Sequence, residues 1–205
     1  HKPVIEKQYG YSFERPVRHL QEFLEILNPQ LRNEAVRFTG ELMSGKNSTM
    51  LDGAPAPHVL VAALGPQMLR LTGKMADGTI TWMTGNKTLA DLTVPTIREA
   101  ADEAGRQKPR VVVGLPVLCT ENVDAGRERA AKVFQIYGKL PSYRAMLDRE
   151  SLSGPEDICI IGNEAEIRDQ LQATFDSGAD DVIAVEFGSN REDETRTREA
   201  LAALL

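Results

Sequence analysis

Apolar positions follow two different periods along the chain, and the change between them predicts an ordered series of elements. Near the start, apolar residues recur on one helical face, which predicts an amphipathic helix over residues 13–27 that ends near Asn28-Pro29. Short alternation over residues 35–44 predicts a small hairpin. Residues 47–57 are rich in Gly, Pro, Ser and Asp, and this composition predicts a loop.

Four longer apolar runs follow, and each has the continuous character of a fully buried strand. The four runs are residues 58–64, 79–84, 110–120 and 180–187. Helical patterns come between and after them. These predicted helices cover residues 67–75, about 95–104, a long stretch that Pro141 breaks and that continues toward Arg149, a stretch from the capping-box sequence at Asn163 to Gly178, and a polar segment at the end.

Buried-type strands that alternate with amphipathic helices indicate a parallel sheet covered by helices. Two such α/β folds compete, the open doubly wound sheet and the eight-stranded barrel. A barrel usually needs about 250 residues, whereas only the four strand–helix units are readable here. The chain also begins with His1 in a loop-like stretch, as if entered partway through a longer protein. We therefore predict the C-terminal half of a TIM-type (β/α)8 barrel, with residues 1–205 forming a single domain.

Composition and charge narrow the class of partner. The chain has 205 residues, of which 41% are hydrophobic and 26% charged, and its net charge is −6. This acidic balance argues against a nucleic-acid or anionic-membrane surface, and the apolar runs are too short to span a bilayer. Cys119 and Cys159 lie in apolar stretches, so we expect reduced core residues. No signal-peptide pattern is visible, and the expected location is cytoplasmic.

Gly65-Pro66 is the first candidate functional motif, because it lies where the first apolar run ends and a helical pattern begins. Glycine lets the backbone approach a ligand closely, and proline in a first helical turn loses no hydrogen bond. The free N–H groups of such a turn, together with the helix dipole, suit a phosphate. The alternative is a tight turn that binds nothing, and the spacing favours neither.

Other candidates follow the ends of later runs. In a barrel, Thr84 would lie on the catalytic face and is a candidate cofactor contact. Trp82 belongs either to the core or to a pocket wall, and we expect the core. Glu186 would point at or near the barrel mouth, where a lone carboxylate is more often a packing partner than a general base. The sequence has no GxGxxG, Walker or GxSxG motif, no metal-ligand spacing and no paired carboxylates, which suits chemistry carried by a bound cofactor.

An ordered set of segments resembles one known superfamily. The segment VLVAALGPQMLRLTGKMADGTITWMTG is similar to the strand–helix–strand segment of luciferase-like monooxygenases, and most of all to the actinobacterial oxidoreductases assigned to the deazaflavin coenzyme F420. The stretch HKPVIEKQYGYSFERPVRHLQEFLEIL before it agrees with the same superfamily. So do PSYRAMLDRE, IIGNEAEIRDQL and SGADDVIAVEF after it, in the same order.

The resemblance implies a barrel with the flavin or deazaflavin across the carboxyl ends of its strands. It implies that the turn after the first apolar run approaches the phosphate-bearing tail, and this favours the anion site at Gly65. The residues carried over by position are Ala63, Leu64, Gly65, Pro66 and Gln67 for the turn, and Arg18 for an arginine near the phosphate, with Arg15 close by. The first strands of that barrel, which supply much of the ring-binding surface, have no counterpart in this chain.

The resemblance thus predicts an oxidoreductase that moves a hydride between coenzyme F420 and an organic small molecule, with catalytic residues not identified. The chain alone would hold only part of the tail-binding site. One alternative is an FMN-dependent monooxygenase, and another is a non-catalytic half-barrel that self-associates. A third is an unrelated phosphate-binding barrel with an acid or base near Glu186 or Thr84. Exposed sheet edges lead us to expect a homodimer or another homo-oligomer.

Overall fold

The computed structural model describes residues 1–48, 53 and 55–205. The predicted loop over residues 47–57 therefore lies partly outside the described residues. The chain divides into two compact units, residues 1–59 and residues 60–205. The assignment of residues 1–205 to a single domain stays a prediction.

The N-terminal unit consists of a helix and an antiparallel hairpin. Its elements are a short helical turn (Val4–Gln8), α1 (Pro16–Leu31), β1 (Val36–Thr39) and β2 (Ser44–Asn47). Helix α1 begins later than predicted because Pro16 takes the first helical position, where a missing N–H costs nothing. It also continues past Pro29, so the predicted end was too early. The predicted hairpin is confirmed, with its second strand further along the chain than expected.

A buried carboxylate joins α1 to the β1–β2 turn. Glu22 is only 1% exposed, and its side chain accepts hydrogen bonds from the N–H groups of Glu41, Leu42 and Met43 at 3.0, 2.8 and 2.8 Å. Nε of Arg18 donates to it at 2.7 Å. Burial by itself would raise the pKa of Glu22, but these hydrogen bonds outweigh burial and lower the pKa from 4.5 to about 2.

We expect Glu22→Gln to loosen the turn at neutral pH, because the amide NH2 would face N–H donors. The contribution of ionised Glu22 to the stability of the wild-type turn depends on pH. The pKa is lower in the folded state, so the contribution is complete above the unfolded pKa and is lost as pH falls through about 2. Hydrogen exchange at Leu42 and Met43, normalised to unfolded rates, measures this. Glu25→Gln, an exposed position on the same helix, is the matched control, and equal protection in both variants would contradict the assignment.

The C-terminal unit contains five parallel strands and seven labelled helices among the described residues. In chain order they are β3 (Leu60–Ala62), α2 (Pro66–Met75), β4 (Gly78–Trp82), α3 (Asn86–Thr88), α4 (Val94–Glu103), β5 (Arg110–Cys119), α5 (Val123–Val133), α6 (Pro141–Glu150), β6 (Ile160–Gly162), α7 (Glu164–Asp176), β7 (Asp181–Glu186) and α8 (Arg191–Ala202). A wide helical turn, Leu89–Thr93, joins α3 to α4, so this helical region begins earlier than predicted.

The sheet is built around β5. Residues 112–114 of β5 pair with β4 on one edge and with β7 on the other, and β3 pairs with the far edge of β4. The order β3-β4-β5-β7 is therefore the order of the four predicted strands, and the predicted parallel sheet is confirmed. Strand β6 was missed. It is three residues long and pairs only with residues 117–119 of β5.

Side chains alternate between the two faces of the sheet. On one face, Val111, Val113 and Leu115 belong to the hydrophobic core together with Ile97 and Leu171 from the helices. We call this the helix face. The opposite face, which we call the cavity face, carries the alternate positions, where Trp82 and Ile183 are in register with Gly114 and Ile80 pairs with Ala62.

The remaining sequence expectations concern cysteines, metals and membranes. Cys119 and Cys159 are buried and free, and burial raises the pKa of each thiol, to about 11 and about 12. Within the described part of the chain, no three His, Cys, Asp or Glu side chains are grouped to hold a metal ion. None of the helices described there combines the length and apolar character needed to cross a membrane.

Candidate functional site

The carboxyl ends of the parallel strands meet at one edge of the sheet, and the turn after β3 carries most of the predicted site residues. Ala63 is buried at 2% exposure, while Leu64 and Gly65 are half-buried. Pro66 and Gln67 are exposed and begin α2. These five residues are consecutive, so they necessarily lie together in one strand-to-helix turn. The structure places that turn at the sheet edge where α/β proteins bind ligands.

The start of α2 lacks a side-chain cap. Gly65 is the N-cap residue in an ordinary extended conformation, Pro66 is at the first helical position, and no side chain of the described residues caps the helix. A Cβ at Gly65 would meet nothing within 4 Å. Because proline has no N–H, the amides of Gln67 and Met68 are the donors that this turn directs outward.

The other strand-to-helix turns described in this unit all have a side-chain partner at the helix start. The partners are Glu150 for α3, Asn122 for α5, Asn163 for α7 and Asn190 for α8. The capping box predicted at Asn163 and Glu166 is confirmed. Among these turns, the one after β3 is therefore the one where an external anion would meet helix N–H groups without displacing a side chain.

A cavity of about 290 Å³ lies directly beside this turn. Ala63 and Leu64 form part of its wall, and Trp82 and Ile183 form other parts from β4 and β7. Each residue that lines it is uncharged. We call this space the sheet cavity. Its volume is near the lower end of ligand sites in proteins, so it suits a ring or a small molecule rather than an entire dinucleotide-sized cofactor.

Glycine at position 114 of β5 explains why the sheet cavity exists. Trp82 pairs with Gly114 across the sheet, and a Cβ at Gly114 would lie 3.0 Å from Cε3 of the Trp82 ring. The missing side chain leaves room for the indole on the cavity face. Trp82 was expected in the core rather than in a pocket wall, and the structure bears out both in part: the half-buried side chain packs against the hydrophobic core and also forms a cavity wall. The indole Nε1 is buried and has no hydrogen-bond partner among the described residues.

Aromatic residues from the segment after β5 cover the indole. The ring of Trp82 meets Phe134 and Tyr137 edge-on, at centroid distances of 6.2 and 6.0 Å. Tyr137 in turn meets Tyr143, whose ring centroid is 4.8 Å away. Tyr143 lines the sheet cavity from α6, and burial, with a smaller contribution from Tyr137, raises the pKa of its phenol above the ordinary value of 10.0. Tyr143 is therefore a neutral hydroxyl at physiological pH.

Glu150, at the last position of α6, joins this aromatic wall to the start of α3. Its carboxylate accepts hydrogen bonds from the N–H of Thr88 at 2.6 Å and of Lys87 at 3.2 Å, at the start of α3. It also fills the space beside Gly85, where a Cβ would lie 2.4 Å from the carboxyl carbon. The helix that carries Tyr143 is thereby held against the turn that follows Trp82.

The predicted contact Thr84 lies in that same turn but inside the protein. Met83 adopts a left-handed conformation, with φ of 51°, and its N–H donates to the carbonyl of Gly114 at 3.0 Å. Thr84, the next residue, is fully buried, and its hydroxyl has no partner in the described part of the chain. Thr84 does not line the sheet cavity, and its role as a cofactor contact stays a prediction.

Arg18 belongs to the N-terminal unit, where acidic partners already hold its guanidinium. Nε donates to Glu22 at 2.7 Å, and an η-nitrogen lies 3.6 Å from Glu41. The neighbouring Arg15 also pairs with Glu41, at 2.8 Å. A phosphate that used either arginine would compete with these carboxylates, and the role predicted for Arg18 stays a prediction.

Glu186 shares the helix face with Ala184 and binds Arg198 on α8 through Oε1. The expectation that it points at or near the mouth was wrong, because the alternation along β7 turns it toward the helices. The structure supports the other interpretation of Glu186, which was a packing partner. Sequence reasoning also missed Tyr143 and Glu150. Glu150 contacts positions 85–88, and Tyr143 shares the cavity wall with residues of β3, β4 and β7. These neighbours are distant in the chain, so no local motif marked either residue.

The family model described as luciferase-like monooxygenase matches residues 1–181, and the chain belongs to this family. The chain is 28% identical over 140 residues to the F420-dependent glucose-6-phosphate dehydrogenase of Nakamurella multipartita. That match covers 67% of the chain and 39% of the relative. The chain thus spans less than half the length of such curated relatives.

Solved structures show the same fold. The coenzyme F420-dependent tetrahydromethanopterin reductase of Methanopyrus kandleri superposes with a TM-score of 0.74 at 17% identity, covering 96% of this chain and 69% of that one. The oxygenating constituent of 3,6-diketocamphane monooxygenase of Pseudomonas putida, solved with FMN, gives 0.72 at 14% identity, covering 98% and 66%. These likenesses show that the chain has the luciferase-like barrel fold. The chain spans only part of the length of those barrel proteins.

Proposed function

We propose that the chain is the cofactor-tail-binding part of an oxidoreductase that transfers a hydride between coenzyme F420 and an organic substrate. The observation that carries the proposal is the uncapped start of α2, which lies beside an uncharged cavity at the carboxyl edge of the sheet. The family supports the reaction class, because a relative named for F420 dependence is 28% identical to the chain.

The residues present suit an anionic tail followed by a neutral ring. The N–H groups of Gln67 and Met68 would donate to a tail phosphate, and the α2 dipole would favour its negative charge. Gly65 leaves open space for the approach of that phosphate. The sheet cavity, which contains no charged side chain, would border the ring. When bound, the deazaflavin supplies the hydride chemistry.

The protein's own contribution is binding, orientation and exclusion of water. Leu64 and Trp82 present apolar surface at the carboxyl edge, and the aromatic contacts of Trp82 restrain its ring. Tyr143 keeps its proton because burial raises its pKa, so its side chain adds no charge to the cavity wall. We propose in addition that the chain self-associates, since β3 and β7 each have one sheet neighbour in the described structure.

An equilibrium titration of the 205-residue chain with F420 and, separately, with FMN tests the proposed function. Absorbance distinguishes the two cofactors, and a parallel solution mass determination reports the oligomeric state. We expect saturable binding of F420. Preferential binding of FMN would support the monooxygenase alternative instead. A folded dimer that binds neither cofactor would overturn the proposal in favour of a non-catalytic half-barrel.

A further inference from the structure

Strand β7 has an edge that is unprotected against further pairing. Its one sheet neighbour among the described residues is β5. Residues 182–185 are Val, Ile, Ala and Val, without the lysine or proline that keeps many natural edge strands from pairing. Asp181 and Glu186, near its two ends, are engaged by Arg110 and Arg198 of the same chain. The middle of β7 is therefore able to accept another strand.

β7 also presents apolar surface on both of its faces. On the cavity face, Ile183 and Val185 are 44% and 38% exposed. On the helix face, Val182 and Ala184 border a groove of about 620 Å³ between α7 and α8, and Phe175 in this groove is 41% exposed. Parallel sheets are normally covered on both faces. A strand that pairs with β7 would therefore itself be apolar.

The edge of β3 at the other side of the sheet has matching properties. Within the described part of the chain, β3 pairs with β4 alone. Residues 59–63 are all apolar, and Leu60 is 37% exposed. β3 runs parallel to the other strands, so it suits parallel pairing with β7. In one copy, however, β4 and β5 separate β3 from β7. The pairing therefore requires a second copy.

The position of the sheet cavity shows which way the sheet curves. Ala62 of β3, Ile80 of β4, Gly114 of β5 and Ile183 of β7 all line this one space. Because the four strands border a common cavity, the cavity face is the concave side of the sheet. In an eight-stranded barrel, the concave face of a closed parallel sheet becomes the interior. The order β3-β4-β5-β7 supplies four of eight such strands.

We infer that two copies of the chain form one eight-stranded barrel, in which β7 of each copy pairs in parallel with β3 of the other. A twofold axis along the barrel relates the copies, so two identical seams form and no free edge remains. The inference rests on the proposed function only for self-association, and it names the partner and the surface. Antiparallel pairing of two β7 edges would leave both β3 edges and both cavity faces uncovered.

Closure of this barrel would bury what one copy leaves exposed. Leu60, Ile183 and Val185 would enter the interior, where apolar side chains form a packed core. Strand β3 is three residues long, so one seam is small, but two seams and both cavity faces form one continuous interface. All eight carboxyl ends would meet at the same end of the barrel. The two Gly65 turns would therefore border one mouth, and each sheet cavity would be completed by the other copy.

Engineered cysteines test the seam directly. Within one copy, β3 and β7 are three strand spacings apart, about 14 Å, and a disulfide needs Cα atoms within about 7 Å. Ala62→Cys combined with Ile183→Cys, or with Val185→Cys for a register two residues away, can form the bond only between copies. We expect one of these double variants to give a covalent dimer with two disulfides under mild oxidation. Ala62→Cys with Ala184→Cys is the matched control, because position 184 is on the helix face.

A lysine in the seam tests the same surface without a cross-link. Val185→Lys would place an ammonium group in the barrel interior, where an uncompensated charge is strongly unfavourable. We expect the Kd of the dimer, measured by analytical ultracentrifugation, to rise at least tenfold. Val133→Lys is the matched control, because Val133 is 48% exposed at the end of α5 and lies outside the seam. Both valines are exposed in one copy, so neither change should unfold it, which circular dichroism checks.

Four results would overturn the inference. The first is a folded wild-type chain that stays monomeric at its highest soluble concentration. The second is a dimer in which neither double variant forms the disulfide, or in which Ile183→Cys alone forms it as readily. The third is a ladder of higher oligomers, which indicates open rather than closed pairing. The fourth is an equal effect of the two lysine variants.

These measurements need no cofactor, so they separate this inference from the proposed function. A closed dimer that binds neither F420 nor FMN would refute the proposed reaction and leave the barrel of two copies in place. A monomer that binds F420, or a dimer that pairs through another surface and binds it, would refute the barrel of two copies and leave the proposed reaction in place.

Discussion

Gly65→Asp is expected to abolish most of the affinity for a phosphate-bearing cofactor while making the fold more stable. The two effects have opposite signs because they have separate causes. A carboxylate at the N-cap accepts from the free N–H groups of α2, and this cap together with the loss of glycine freedom stabilises by about 0.5–1 kcal/mol. Backbone at Gly65 is in the extended region, and a Cβ there meets nothing within 4 Å, so no strain opposes the change.

The loss of affinity arises from charge. Two like charges about 5 Å apart at an effective dielectric constant near 20 repel by about 3 kcal/mol, which is roughly a hundredfold in affinity. Cofactor titration measures this loss, and thermal unfolding measures the gain in stability. Gly65→Asn is the matched control, since asparagine caps the helix without a charge. Unchanged affinity in both variants would remove the anion site, and an equal loss in both would assign the effect to steric blocking instead.

Glu150→Ala is expected to destabilise the C-terminal unit by about 1–3 kcal/mol, because it removes a carboxylate that two N–H groups at the start of α3 both contact. Gly85→Ala should have a similar effect by another route. Its Cβ would lie 2.4 Å from the carboxyl carbon of Glu150 and would displace that flexible side chain. If both changes act on one contact, the double variant should cost little more than either single one.

Urea unfolding of the two single variants and the double variant measures this coupling. Asp148→Ala serves as the control, because Asp148 is a largely exposed carboxylate on the same helix that pairs with Arg144. Exposed pairs of this kind contribute about 0.3–0.5 kcal/mol. A Glu150→Ala variant no less stable than the control, or single effects that simply add, would refute the role of Glu150 in holding α6 against the start of α3.

Elements that depend on local patterns were predictable from the sequence. The four buried strands were recognisable because each is a continuous apolar run, and the start of α7 because Asn163 and Glu166 have capping-box spacing. The Gly65-Pro66 turn was likewise identified from neighbouring residues alone. Errors at the ends had local physical causes, such as the position of Pro16 at the start of α1.

Features that depend on distant contacts were not predictable. Trp82 forms a cavity wall only because Gly114, on a neighbouring strand, leaves space for its ring. Glu150 caps a helix that begins more than sixty positions earlier. The orientation of Glu186 depends on the register of β7 against β5. In each case a tertiary contact decides the role of the residue, and neither composition nor periodicity records such contacts.

The double pairing of β5 has a consequence for the order of events while the chain is being made. β3 and β4 alone form a two-stranded sheet, which is marginally stable in water. Arg110 at the start of β5 pairs through its side chain with Asp181, which is synthesised 71 positions later. Until β7 has been synthesised, the edge of β5 that pairs with β7 has no partner strand. We therefore expect the unit to be most prone to aggregation until β7 has been synthesised, because pairing of β5 is completed by that strand and not by any one helix.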